Sequence, residues 1–184
     1  MEIGFITGNP KKFSEIASNI SPKVQLIQIK IDLIEPQTLS LSEISAHKAI
    51  QAFAIANKPV IVEDSGAFFD AYNEFPWAFT KFIFSQLGIQ WLKKLLDGVN
   101  TGKFVTILSY MDETLAEPLQ FIGEISGKFA FDHIKWEIDS HFPYNHIFYP
   151  EDSSVPAIDI YEQWTKDNHR QRAVGKFNEW IESL

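Results

Sequence analysis

Three groups of polar residues stand where apolar segments end, which is where side chains are free to do chemistry. Thr7, Gly8, Asn9 and Pro10 follow the apolar run Ile3, Phe5 and Ile6 and precede Phe13, Ile16, Ala17 and Ile20 at helical spacing. That pattern reads as strand, tight turn and helix. Amide donors at the start of such a helix, joined by Thr7, Asn9 and Lys12, suit phosphate oxygens. The spacing is not that of a P-loop, and a turn with a cap accounts for the same letters. Lys12 and Glu15, three residues apart, are placed for an ordinary surface ion pair.

Glu63, Asp64, Ser65 and Gly66 directly follow Val60, Ile61 and Val62, a short buried strand. Acids placed where such a strand emerges point into a cleft at the carboxyl edge of a sheet. With Glu35 they offer hard oxygen ligands suited to Mg²⁺, which takes one or two carboxylates together with substrate phosphates. One of them can instead activate water, and a loop in which Asp64 or Ser65 caps a turn is the plainer alternative. Lys48 interrupts a helix rich in Ala and Ile, so it either reaches for an anion or snorkels to solvent.

In the third group, Phe142 and Tyr144 could stack on a planar base while Asn145 reads its edge; a Pro-shaped loop filling the core explains the same residues. His141 and His146, five apart with no cysteine in the chain, make a poor zinc pattern. Asn168 is placed as a helix N-cap, and His169, Arg170 and Arg172 form the densest basic patch near the carboxyl end.

The elements that must position these groups follow from hydrophobic periodicity. Strands are expected at residues 24–31, 60–62, 104–111, 119–125 and 147–149, with a further one at 128–131. Helices are expected at 43–56, at 80–96 with Gly88 near the middle, and from about 169 onward. No repeat or linker divides the chain, so residues 1–184 read as one α/β domain with a mixed sheet. The hydrophobic fraction of 45% supplies a large core, which excludes disorder as the main state. A net charge of -8 argues against a nucleic-acid duplex or an anionic membrane as partner. No apolar run approaches the length of a membrane span, and the expectation is a soluble cytoplasmic protein.

In this order along the chain, the motifs resemble the inosine triphosphate pyrophosphatase family. The resemblance rests on Thr7, Gly8 and Asn9 with Lys12 and Glu15, then Asp32, Leu33 and Glu35, Glu43 and Ile44 with Lys48, the run from Val62 to Gly66, an aromatic loop, and Asn168, His169 and Arg170. It implies a long central mixed sheet with flanking helices forming two lobes around a nucleotide cleft, and a homodimer. It also implies hydrolysis of the α–β phosphoanhydride of (deoxy)nucleoside triphosphates, of inosine or xanthosine type, with Mg²⁺ or Mn²⁺. Carried over by motif, Thr7, Asn9, Lys12 and Lys48 hold phosphates, with Ser65 beside them. Glu35, Glu63 and Asp64 place the metal, and Asp64 orients or deprotonates the attacking water. Phe142, Tyr144, Asn145, His169 and Arg170 face the base.

The departures fall on the base side. Asn145 stands where the family has an aspartate, Asn168 where it has a serine, and Trp164 where a base-contacting lysine is usual. Asn73, Glu74, Phe75, Pro76 and Trp77 replace a segment of small residues with Pro-Gly. The expectation is retained pyrophosphohydrolase chemistry with altered base discrimination. A phosphatase releasing orthophosphate and a non-catalytic nucleotide-binding protein are the competing readings.

Overall fold

A computed structural model describes residues 1–96, 100–132 and 142–184. The amino-terminal apolar run forms β1 (Glu2–Ile6), which pairs in parallel with β2 (Gln25–Ile29) on one side and β3 (Val60–Phe69) on the other. The remaining pairings are antiparallel and involve β4 (Pro76–Trp77), β5 (Thr101–Met111), β6 (Leu119–Phe129) and β7 (Phe148–Pro150). One mixed sheet results, in the order β2, β1, β3, β5, β6, β7, with β4 also on β3.

Five helices accompany it among the described residues: α1 (Pro10–Ala17), α2 (Leu41–Ala56), α3 (Thr80–Leu95), the single turn α4 (Tyr161–Trp164) and α5 (His169–Ser183). Side chains alternate across a strand, and β3 shows what that does. Val60 and Val62 pack with Ala49 and Ala52 of α2, while Ile61 packs with Phe177 and Ile181 of α5. Further along, Ala67 and Phe69 join Phe104, Phe129 and Phe148 in a separate apolar cluster under α3. The sheet thus carries helices on both faces and different cores toward its two ends.

Two strands differ from expectation in ways that matter for the site. β3 does not end before Glu63 but runs on to Phe69. The physical reason is β5, which backs it residue by residue from Val60 opposite Met111 to Phe69 opposite Gly102. Once the backbone is paired, polar side chains do not terminate a strand. On its other edge β3 pairs with β1 only at Val60 and Ile61, and with β4 only from Ala67. Residues 62–66 therefore border a notch between β1 and β4 with no neighbouring strand among the described residues. The segment expected as a separate strand at 128–131 is instead the end of β6.

Smaller differences are local. β2 stops at Ile29 rather than at residue 31, and α2 starts at Leu41 because the Ser40 hydroxyl accepts from the Glu43 amide at 3.2 Å. Gly88 interrupts α3 with φ 69° and ψ 179°. Asp97 and Gly98, which read in the sequence as closing the helix expected at 80–96, lie outside the described residues. Gly123 has a direct bearing on the site: a Cβ there would collide with the His169 carbonyl and the Ala173 amide. Its bare backbone lets the first turn of α5 settle on β6. Among the described residues no helix is long and apolar enough to cross a membrane.

Candidate functional site

The turn between β1 and α1 opens onto the notch. Asn9 caps α1, its side-chain oxygen accepting from the amides of Lys11 at 2.9 Å and Lys12 at 3.3 Å. Thr7 Oγ1 accepts from the Asn9 amide at 3.1 Å. Two amides expected to face an anion are thus already satisfied by the cap. What the turn still offers is the Thr7 hydroxyl hydrogen, the Asn9 side-chain amide and the Lys12 ammonium. A Cβ on Gly8 would meet nothing within 4 Å among the described residues.

Alternation along β3 sends the two acids to opposite faces. Glu63 turns toward α1 and α5. Lys12 Nζ lies 2.6 Å from its Oε2, and Arg170 Nε donates to Oε1 at 3.1 Å. Ser65 donates to the same Oε1 and shares a 2.7 Å hydrogen bond with Thr106, whose hydroxyl also donates to Glu63 at 3.3 Å. Arg170 continues the chain to Glu15 through Nη1, and Glu15 also accepts from the Tyr161 hydroxyl at 3.2 Å. Asp64 turns toward α2, where Lys48 Nζ donates to its Oδ1 at 2.6 Å and to Glu35 at 2.9 Å. The site therefore straddles the sheet edge, with one cluster on each face.

Burial sets the electrostatics. Enclosure alone would raise the Glu63 pKa, but Arg170 and Lys12 outweigh it and hold the carboxyl far below the usual range. At Asp64 burial prevails over the attraction of Lys48, and the carboxyl sits above its ordinary value. Lys48 is less enclosed: burial opposes its charge, yet Asp64 and Glu35 together keep its pKa raised. The site thus holds one acid that is firmly ionised and one that accepts a proton readily. For His169, burial and then Arg170 push the pKa well below 6.5, leaving a neutral imidazole.

On the side expected to face a base, the placement differs from expectation. Tyr144 is buried, with its hydroxyl donating to the Thr80 carbonyl at 3.0 Å, and its ring lies within the cluster around Phe69 and Phe104. Asn145 is also buried. These residues fill the core because the 3₁₀ turn Pro143–His146 folds inward beneath α3. The His169 ring stacks on Phe104 at 4.9 Å and lies 5.8 Å from Trp164. Arg170, expected at a purine, lies buried between Glu15 and Glu63, with its guanidinium 5.3 Å from the centre of the Phe142 ring. The predicted Lys12–Glu15 surface pair is replaced by Lys12–Glu63 and Arg170–Glu15. His141 lies outside the described residues.

A metal must find oxygen atoms in this arrangement. Asp64 Oδ2 is buried with no hydrogen-bond partner among the described residues, and Glu35 meets the same lysine from the solvent side. Among the described residues no three His, Cys, Asp or Glu side chains converge into a ready cage. That donor set fits Mg²⁺, which relies on one or two carboxylates with water and phosphate oxygens. Glu63, ringed by Lys12 and Arg170, is less accessible to a direct ligand role.

Residues 3–180 match the model of the Ham1 family. This chain belongs to the Ham1 family. It is 33% identical over 186 residues to a dITP/XTP pyrophosphatase of Methanopyrus kandleri, covering all of this chain and 97% of that protein. It is 33% identical to the enzyme of the same name from Saccharolobus solfataricus, covering all of this chain and 95% of that one. The solved structure of the Staphylococcus aureus Ham1 protein superposes with a TM-score of 0.79 at 25% identity, covering 100% of this chain and 99% of that one.

Within this Ham1 fold two residues of the cluster, Thr106 and Tyr161, went unassigned in the sequence, and Glu15 was assigned to a different partner. Glu15 reads as a surface residue from its helical spacing to Lys12, but only 7% of it is exposed. Thr106 lies in a strand that also carries Ser109 and Tyr110, so its hydroxyl does not stand out in the sequence. Tyr161 sits in a four-residue helix too short to show a period. Strand register supplied the missing information for Thr106, which stands directly opposite Ser65.

Proposed function

We propose that this chain hydrolyses the α–β phosphoanhydride of (deoxy)nucleoside triphosphates of inosine or xanthosine type, yielding the monophosphate and pyrophosphate, with base discrimination altered from that of its relatives. The observation that carries this reading is the notch in β3. There the ammonium groups of Lys12 and Lys48 meet the carboxylates of Glu63 and Asp64, in a chain 33% identical across its length to dITP/XTP pyrophosphatases. Lys12 and Lys48 each carry three N–H donors, enough to hold a carboxylate and a phosphate oxygen at once. Asp64 orients a water toward the α-phosphorus and accepts its proton. As the water oxygen bonds to phosphorus, the bond to the α–β bridging oxygen breaks and pyrophosphate leaves with the electron pair, its charge balanced by the lysines. Mg²⁺ held at Asp64 and Glu35, or Mn²⁺ in its place, would neutralise further phosphate charge.

The altered discrimination is supported by two residues at departures from the family pattern, Trp164 and Asn145, both of which are buried. A turnover panel of inosine, xanthosine, adenosine and guanosine triphosphates, with and without Mg²⁺, tests the proposal. Expected are monophosphate and pyrophosphate in equal amounts, with kcat reduced about 10²- to 10⁴-fold in Asp64→Asn. Stepwise orthophosphate, or an Asp64→Asn variant as fast as wild type, refutes it.

A homodimer belongs to the same proposal. On α3, Phe82, Leu87 and Trp91 are 59%, 38% and 49% exposed, apolar surface that a second copy would cover. Sedimentation should give a dimer for wild type and a monomer for Trp91→Glu; a monomeric wild type refutes the assembly.

A further inference from the structure

Glu35, offered above with Asp64 as an oxygen donor for the metal, stands in residues 30–40, a stretch between β2 and α2 that contains no helix or strand. Its side chain is 63% exposed. A carboxylate on free backbone must be ordered each time it binds an ion, and that lost entropy lowers affinity. Here α2 supplies the order. Gln51 Oε1 accepts from the Ile34 amide at 3.1 Å, while Gln51 Nε2 donates to the Ile34 carbonyl at 2.7 Å. One side-chain amide thus holds both backbone groups of the residue before Glu35, much as a neighbouring strand would. The amide is oriented in turn, because Nε2 also lies 2.7 Å from Nδ1 of His47, four residues earlier on the same helix. Lys48, three residues before Gln51, reaches the same segment and donates to the Glu35 carboxylate at 2.9 Å. Ile31 and Leu33 pack against the apolar cluster that contains Ala49 and Ala52, so the chain is already drawn onto α2 when it arrives at Ile34.

We propose that Gln51 is a positioning residue for the metal, fixing the backbone at Ile34 so that the Glu35 carboxylate stays beside Lys48 and Asp64. The ion is a hard divalent cation of the Mg²⁺ or Mn²⁺ kind. The assignment rests on the reading that Glu35 contributes to its site. Lys48 holds the carboxylate by charge, and Gln51 holds the backbone that carries it. Gln51→Met keeps the length and helix propensity of the side chain and removes both hydrogen bonds to Ile34.

The experiment follows Mn²⁺ binding to the full chain by electron paramagnetic resonance, without nucleotide, in wild type, Gln51→Met, Glu35→Gln and the double variant. Exchange of the Ile34 amide hydrogen and release of pyrophosphate are measured separately. Loss of a partner that orients a metal ligand predicts about 10-fold weaker Mn²⁺ binding in Gln51→Met. Glu35→Gln should weaken binding at least as much. Because Gln51 acts through Glu35, adding Gln51→Met to Glu35→Gln should change affinity by less than about 2-fold. The Ile34 amide should exchange about 5-fold faster in Gln51→Met, the effect of one lost hydrogen bond. Loss of Mn²⁺ binding in Glu35→Gln but not in Gln51→Met overturns the positioning role alone. An equal loss from Gln51→Met in both backgrounds overturns it too, since that would mark a general structural effect, as does unchanged exchange at Ile34. Mn²⁺ binding that is indifferent to Glu35→Gln overturns the proposal together with the metal reading on which it rests. The expected Mn²⁺ pattern in a protein that releases no pyrophosphate would sink the hydrolysis reading while supporting the role of Gln51.

Discussion

Replacing Glu63 by glutamine removes one charge from a chain of four, Lys12, Glu63, Arg170 and Glu15, and the consequence can be worked from their exposure. The Glu63 side chain is 0% exposed, and those of Arg170 and Lys12 are 4% and 25%. Glutamine preserves the size and the hydroxyl contacts from Ser65 and Thr106, so the change is chiefly electrostatic. Lys12 can turn toward water, but Arg170 cannot, and among the described residues it keeps only Glu15 as a paired counter-charge. Removing one partner of a buried ion pair costs about 3–5 kcal/mol, and the retained Glu15 contact places this case near the lower figure. For a domain of 184 residues, about 3 kcal/mol lowers Tm by about 6–12 °C. Lys12→Met, at the exposed end, should cost about 1 kcal/mol. Urea unfolding at pH 7, followed by tryptophan fluorescence, measures both, and a cycle with Arg170→Met isolates the pair. The sign of the pH dependence is also set. Because the folded Glu63 pKa is depressed, its contribution is complete above the unfolded value of about 4.3 and is lost as pH falls toward the folded one. The gap between wild type and Glu63→Gln should therefore close only in acid. A Glu63→Gln protein within about 0.5 kcal/mol of wild type at pH 7, or less harmed than Lys12→Met, refutes the reasoning.

Tyr144, raised well above 10 by burial, should make stability fall as pH rises past about 10, since the unfolded phenol ionises there and the folded one does not. Each such tyrosine contributes a slope of at most about 1.4 kcal/mol per pH unit, so Tm measured between pH 9 and 11 should decline less steeply in Tyr144→Phe. Gly123→Ala should displace the start of α5 from β6, because the added Cβ meets the His169 and Ala173 backbone, at a cost of about 2 kcal/mol or more. It should also raise KM for a nucleoside triphosphate through the shift of His169 and Arg170; unchanged KM with normal stability would show that α5 adjusts freely. Thr106→Val, which removes the hydroxyl held by Ser65 and Glu63, should cost about 1–3 kcal/mol in urea unfolding, and Thr106→Ser should recover most of it.

The amino-acid sequence by itself determined the βα opening, the Asn168 cap, the apolar stripe of α5 and the order of the charged motifs. These depend on neighbours within one or two turns, so local periodicity and capping chemistry express them. The extent of β3 was not legible, because a polar run such as Glu63, Asp64 and Ser65 stays extended only when a distant strand pairs its backbone, and β5 lies about forty residues on. Nor was it legible that Glu63 and Asp64 serve opposite faces, since that follows from the strand running on through both. The pairing of Arg170 with Glu15 joins residues 155 positions apart. Only packing of α1 against α5 brings them together, and the exclusion of water then compels each buried charge to find its partner. Packing beneath α3 turned Tyr144 inward, because a ring goes where apolar surface can be buried, and no local pattern states which ring that will be.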